Sequence, residues 1–395
     1  MTARIEELRS EVAQRYSVSL DDVRCVVAPY RICPLGAHID HQLGPVTAMA
    51  IDHGVAFAYA PRNDGQVSLR SRDFPGQVEF DLGDVPDGQP GDWGNFARGA
   101  ARALQQRFEL RRGLVGMTMG GLDGGGLSSS AAVGVAYLLA LEDVNALHVT
   151  PMENVRLDQA IENGYLGLRN GILDQSAILF SRRRHLTEID CDTGSHRLHS
   201  QPDRMPPFRI LIAFSGLRKV LVGTDYNRRV DECAQAAAIL LRAANQATEP
   251  AILGRVSGAD YETHRHLLQG AEAKRAAHFF SERRRVKQGI AAWRAGNLAE
   301  FGRLMTESGR SSIENYECGS PPLADLYEIL VDTPGVYGAR FSGAGFRGCC
   351  VALVAADRAV EAADSVARQY AARQPDLSAQ ASVLLCDSDD GARRI

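Results

Sequence analysis

The segment Gly120-Gly121-Leu122-Asp123-Gly124-Gly125-Gly126-Leu127-Ser128-Ser129-Ser130-Ala131-Ala132 constrains this chain more than any other. Five glycines fall within seven positions, three serines follow, and an apolar run continues through Leu141. Glycine lets backbone N–H groups approach a ligand with no Cβ in the way. The serines stand where a helix should begin, so unpaired N–H groups and the positive end of the helix dipole face the loop. Such a loop suits an anion, above all a phosphate; the alternative is a tight turn feeding a buried helix. Two common phosphate loops are excluded. No Gly-x-x-x-x-Gly-Lys-Ser/Thr occurs. A dinucleotide fingerprint needs an acidic residue about 20 positions on, past a second strand. Glu142 lies near that distance, but at the far end of the same helix.

The chain of 395 residues is long enough for two domains and a large core. Its net charge of −4 argues against bulk attraction to nucleic acid or an anionic membrane. The basic runs 182–184 and 283–285 are short, lack interleaved aromatics and read as solvated faces. No apolar run approaches the ~20 residues that span a bilayer, and the charged, helical first residues do not read as a signal peptide. Eight scattered cysteines without a Cys-x-x-Cys imply neither a zinc ribbon nor a disulfide framework, so a reducing cytoplasm is the expected setting.

Short β-branched or alternating runs predict strands at 24–28, 46–48, 55–60 and 66–70, separated by Gly, Pro and Asn-Asp turns. Residues 93–108 read as a helix and 114–119 as the strand entering the glycine loop. The run 129–145 predicts a helix apolar nearly all round, hence buried. Thr150-Pro151-Met152-Glu153 has capping-box spacing with proline at the first helical position, opening a helix to about 166. The polar, proline-rich stretch 201–207 marks the expected boundary between domains 1–205 and 206–395. Beyond it, strands are expected at 208–214, 337–341, 349–355 and 381–386. Helices are expected at 225–244, onward to about 305, at 322–330 and at 357–373. Mixed elements without steady βα alternation indicate an α+β fold.

Three further segments could carry chemistry. Residues 29–41 bring Arg31, His38, Asp40 and His41 near one turn. The spacing of His38, Asp40 and His41 is not a helical zinc motif, whereas these groups suit a hydroxylated ligand. Residues 162–176 put Asp174 among apolar neighbours after a glycine turn, where it reads equally as a helix N-cap or a catalytic base. Residues 342–348 form a second glycine turn, either a backbone approach to a ligand or a hairpin.

Together these segments resemble the GHMP kinases, the family of galactokinase, homoserine kinase, mevalonate kinase and phosphomevalonate kinase. Residues 124–132 resemble its ATP loop and 342–349 its C-terminal glycine motif. Residues 31–40 are similar to the galactokinase sugar signature, 170–175 to the catalytic-aspartate segment, and Tyr226-Asn227-Arg228-Arg229-Val230 to a later tyrosine-arginine motif. The resemblance implies a two-domain α+β kinase with its active site in the interdomain cleft. It implies ATP phosphates on Gly124, Gly125, Gly126, Leu127, Ser128, Ser129 and Ser130, with Gly345 nearby. Ser130 and Glu162 would hold Mg²⁺, Glu162 standing twelve residues before Asp174. Asp174 would take or orient the proton of an anomeric hydroxyl, and Arg31 would stabilise it. Ala37, His38, Asp40, His41, Gly171, Arg218 and Tyr226 would line the sugar pocket.

One departure bears on the substrate. Galactokinases have a glutamate beside the signature histidine, where this chain has Ala37. That glutamate contacts the sugar's 6-hydroxyl, and a uronic acid has a carboxylate at that carbon. Two such charges ~4 Å apart at an effective dielectric of ~20 repel by about 4 kcal/mol, close to a thousandfold in binding. The expected acceptor is therefore a small sugar acid, D-galacturonate. A protonated His41 could meet its carboxylate, with Arg218 and Lys219 as rival cations. The alternatives are a galactose or glucuronate kinase, or a silent sugar sensor; no nucleic acid or membrane partner is expected, and monomer and homodimer both remain open.

Overall fold

The computed structural model describes residues 2–120, 125–165, 167, 169–217, 224–346 and 348–395. Helix α1 (Thr2–Tyr16) precedes β1 (Arg24–Ile32), β2 (Val46–Arg62), β3 (Gln66–Ser71) and β4 (Val78–Asp81). Then come α2 (Asn95–Gln105), β5 (Gly113–Met119), α3 (Ser129–Val144), α4 (Pro151–Tyr165), α5 (Leu173–Phe180), β6 (His185–Ile189) and β7 (His196–Ser200). The remainder runs β8 (Phe208–Phe214), α6 (Thr224–Ala243), α7 (Gly258–His264), α8 (Gly270–Arg294), α9 (Leu298–Glu314) and α10 (Pro321–Asp332). It closes with β9 (Val336–Phe341), β10 (Cys349–Ala355), α11 (Ala359–Arg373), β11 (Ser382–Cys386), β12 (Ser388–Asp389) and β13 (Arg393–Arg394).

Two sheets organise these elements. The first has the order β13-β1-β2-β5-β3-β4, with β6 and β12 also pairing along β2. The second is β11-β8-β10-β9, all antiparallel. The last residues thus return to the first sheet, where Val26 pairs with Arg394 and Ala50 with Asp389.

Side chains alternate across a strand, and both faces of the inner strands are buried. Ile210, Ile212 and Phe214 of β8 join a core shared with Phe57, Val135, Trp293 and Leu353. Leu211 and Ala213 face the other way, into a cluster with Leu240, Phe279 and Ala352. That cluster also holds Cys33, Ala37, Ile39 and Leu173, so the signature turn packs against elements of the second half. The α1 residues Ile5, Leu8 and Val12 cover the outer face of β1, β2 and β5. As its apolar run predicts, α3 is buried on most sides.

Three expectations are corrected. The separate strands at 46–48 and 55–60 are one strand of 17 residues, with Asp52-His53-Gly54 inside it. Gly54 is accommodated where a Cβ would strike the Ala28 carbonyl, beside a register shift between Pro29 and Arg31. Asp174 is not a helix N-cap: Ile172 caps α5, and Asp174 lies in its first turn. The run 283–285 is only partly a solvated face, because Arg285 pairs with the buried Glu282 at 2.7 Å and Arg283 lies over the Phe280 ring.

Candidate active site

Arg31, near the end of β1, connects four separate stretches of chain. Its backbone N–H donates to the Leu127 carbonyl at 3.3 Å. Its guanidinium donates to Asp174 Oδ1 at 2.8 Å, to Ser342 Oγ at 3.3 Å and to the Gly126 carbonyl at 3.5 Å. Burial disfavours its charge, but the Asp174 carboxylate more than offsets this, and the pKa is raised. Asp174 itself is 22% exposed, so one side of the carboxylate is open to a ligand.

The two glycine turns lie against each other, backbone to backbone. Ser342 Oγ donates to the Gly126 carbonyl at 2.6 Å. Gly126 has φ +102° and Gly348 φ +96°, a region L side chains rarely adopt. A Cβ on Gly348 would also meet the Gly125 carbonyl. Both turns therefore require glycine. Gly345 packs against Cys318, and its carbonyl accepts the Gly319 N–H at 2.7 Å. Ser128, at φ +59°, precedes α3, with Ser129 and Ser130 in the first turn. The expected site residues Gly124 and Arg218, and the rival cation Lys219, lie outside the described residues.

Where α3 faces α4, Ser130 Oγ donates to Glu162 Oε1 at 2.8 Å, and Asn170 Nδ2 donates to Oε2 at 3.1 Å. Burial, reinforced by the charge of Asp174, pushes the Glu162 carboxyl up to about 7. A buried carboxylate beside a hydroxyl is a set of hard oxygen donors that fits Mg²⁺. One helical turn away, Asp158 is fully buried, and neither carboxyl oxygen has a hydrogen-bond partner among the described residues. A Cβ at Gly134 would occupy the same space as that carboxyl.

The signature turn is held from the second half of the chain. Glu282 Oε1 accepts the Gly36 N–H at 2.7 Å, and His278 Nε2 donates to the Ala37 carbonyl at 3.0 Å. His38, at φ +64°, stacks on Tyr316 with centroids 4.4 Å apart. Asp40 lies against Gly171, where a Cβ would collide with its carboxyl. Burial and then Asp174 push the Asp40 carboxyl up to about 6.

His41 is a neutral group in this arrangement. Burial, followed by the neighbouring His278, lowers its pKa to about 4, so the ring is uncharged at neutral pH. Gln42 Oε1 accepts the Leu253 N–H at 3.0 Å, so the amide nitrogen faces His41 Nδ1 as a donor at 3.1 Å. His41 Nε2–H is then left to donate to Tyr316 Oη at 3.2 Å. Both ring nitrogens are engaged by protein groups, and the ring is neutral in this arrangement. Tyr226 lies edge-on to the same ring at 5.9 Å.

Comparison with known proteins fits this arrangement. Residues 95–182 match the GHMP kinases N terminal domain, 290–372 the GHMP kinases C terminal, and 13–61 the galactokinase galactose-binding signature. Galacturonokinase of Arabidopsis thaliana is 51% identical, covering 98% of this chain and 97% of the relative. This chain belongs to the GHMP kinases. A galactokinase of Roseiflexus sp. is 32% identical, covering 98% and 97% of the two chains. Among solved structures, Lactococcus lactis galactokinase complexed with galactose superposes with a TM-score of 0.90 at 30% identity, covering 99% of this chain and all of that one. A mevalonate kinase, at 15% identity and a TM-score of 0.65, shares the fold.

Within this GHMP kinase, sequence reasoning missed Ser342, His278, Glu282, Tyr316 and Asp158. Ser342 opened a glycine turn already singled out, so its hydroxyl was the available signal. Glu282 stands next to the arginine run 283–285, and nothing local in the sequence marks it as buried.

Proposed function

We propose that this kinase transfers the γ-phosphoryl group of ATP to the anomeric hydroxyl of D-galacturonate, giving galacturonate 1-phosphate and ADP. One arrangement carries the reading: Arg31 bonds Asp174, Ser342 and the Gly126 carbonyl at once. A fixed cation, a carboxylate and two glycine turns therefore meet at one point.

The ATP phosphates lie along residues 124–130 at the start of α3, with Gly345 close by, where loop N–H groups and the helix dipole favour anions. Ser130 and Glu162 would hold Mg²⁺, which would supply positive charge to the phosphate oxygens. Two Arg31 nitrogens engage Asp174 Oδ1, leaving Oδ2 to accept the hydroxyl proton. As that proton leaves, the sugar oxygen bonds to the γ-phosphorus and the bond to the bridging oxygen of ADP breaks. Arg31 fixes the position of the Asp174 carboxylate and stabilises the developing charge.

His38, Asp40, His41, Gly171 and Tyr226 line the sugar pocket in this reading, His41 as a neutral group. Arg218 and Lys219 remain the cations proposed for the uronate. Ala37 admits the carboxylate by supplying no opposing charge. The name of the Arabidopsis relative supports the same acceptor. We take 1–205 and 206–395 as the two halves, with the tail returning to the first. Eight free, buried cysteines support a reducing, cytoplasmic setting.

The test is ADP release with D-galacturonate, D-glucuronate and D-galactose as acceptors. Fastest turnover with galacturonate supports the reading. Preference for either other sugar, or no turnover at all, overturns it.

A further inference from the structure

Asp52, His53 and Cys386 form a second chemical cluster, away from the phosphoryl-transfer site. Among the described residues it is the one group of three His, Cys, Asp or Glu side chains whose ligand atoms all lie within 4.8 Å of each other. His53 Nδ1 is 3.1 Å from Asp52 Oδ1 and 3.6 Å from Cys386 Sγ. Zinc bonds of about 2.0–2.1 Å to N and O and about 2.3 Å to S give tetrahedral N···O and N···S edges of ~3.3 and ~3.6 Å. Two edges of a tetrahedral shell are thus already formed, and an ion would replace the proton that Nδ1 now shares.

The surroundings complete the case. Asp52 Oδ1 also accepts the Asp387 N–H at 3.2 Å, an outer bond that orients the carboxylate. Cys386 is buried at the border of a cavity of about 470 Å³, while Asp52 and His53 are half-buried, so an ion can approach the cluster from the side of the two strand residues. Mixed S, N and O donors select a borderline-soft ion over Mg²⁺.

We propose that Asp52, His53 and Cys386 bind Zn²⁺ with water as the fourth ligand, the Cys386 thiol releasing its proton to solvent. The site is a clasp. Asp52 and His53 belong to β2 of the first sheet, and Cys386 ends β11 of the second, just before the chain crosses back. A bound ion ties the sheets together where the Asp52 N–H to Asp387 O bond, at 3.0 Å, already joins them.

The probe is Co²⁺ added to chelator-treated full-length protein, read by absorption. Oxygen-bound Co²⁺ at Ser130 and Glu162 gives no thiolate band, so the two sites are distinguished. We expect one equivalent to produce a thiolate-to-cobalt band that Zn²⁺ abolishes, and Zn²⁺ to raise the melting temperature. Cys386→Ser should lose the band, and His53→Ala should bind Zn²⁺ about tenfold or more weakly. Absence of the band in the native protein, or its survival in Cys386→Ser, overturns the proposal. Should Cys386→Ser fail to fold, unchanged Zn²⁺ affinity in the half-exposed His53→Ala overturns it equally.

Discussion

Two nitrogens of Arg31 converge on a single oxygen of Asp174, Nε and a terminal nitrogen each lying 2.8 Å from Oδ1. The remaining terminal nitrogen points to Ser342 and Gly126, so the cation spans both halves of the chain. Lysine has no such fork. Arg31→Lys should therefore misplace Asp174 and lower kcat by about 10²-fold, the usual cost of a small displacement. Asp174→Asn should cost ~10²–10⁴ in kcat while ATP binding, followed by calorimetry, stays within a factor of two or so. Full activity in Asp174→Asn would remove it from the role of base.

Ala37 is buried and its carbonyl is fixed by His278. A glutamate side chain here should reduce kcat/KM for galacturonate by up to about a thousandfold, the equivalent of ~4 kcal/mol of repulsion. Activity on neutral galactose should fall far less. Equal losses on the two sugars would show that charge does not discriminate them; a melting curve of Ala37→Glu separates this from unfolding.

Gly348→Ala tests the contact between the glycine turns. Left-handed backbone costs an L-residue about 1–2 kcal/mol, and the new methyl meets the Gly125 carbonyl. The KM for ATP should rise by about tenfold, the equivalent of ~1.4 kcal/mol, with a smaller change in the KM for sugar. An unchanged KM for ATP would mean the second turn does not shape the phosphate loop.

His41 and His278 both have pKa values lowered to about 4, chiefly by burial. Between there and the ordinary value of 6.5 the unfolded chain binds protons that the folded chain refuses. Their contribution to stability is complete above that value and is lost as pH falls toward 4. The melting temperature should decline through this window, and less so in His278→Gln. Because His41 is neutral, preference for galacturonate over galactose should not grow between about pH 8 and pH 6. A marked rise would restore a cationic His41.

Much of this was legible in the chain. The strands β8 and β10 are apolar runs bounded by turns, and α3 announces its burial by lacking a polar face. Motif order brought Arg31, Asp174, Glu162 and the glycine turns to one site. Local signals failed where distant contacts decide. Asp52-His53-Gly54 has turn composition, yet β2 runs through it, with Ile51 paired to Ser388 on one side, the Asp52 N–H bonded to the Asp387 carbonyl, and Gly54 paired to Pro29. The strands β6 and β7 are polar and short, and β13 is two arginines. Glu282 and His278 reach the signature turn across some 240 positions, a link no window on the sequence can show. The charge of His41 depends on burial, which its neighbours in sequence do not reveal.

Acceptor choice is the centre of the account, and a competition experiment reaches it most directly. Equimolar D-galacturonate and D-galactose would share one pool of γ-labelled ATP, with the two 1-phosphates separated and counted. Galacturonate 1-phosphate should dominate with the native protein, and Ala37→Glu should shift the ratio toward galactose 1-phosphate. A product ratio favouring galactose in the native protein would contradict the account.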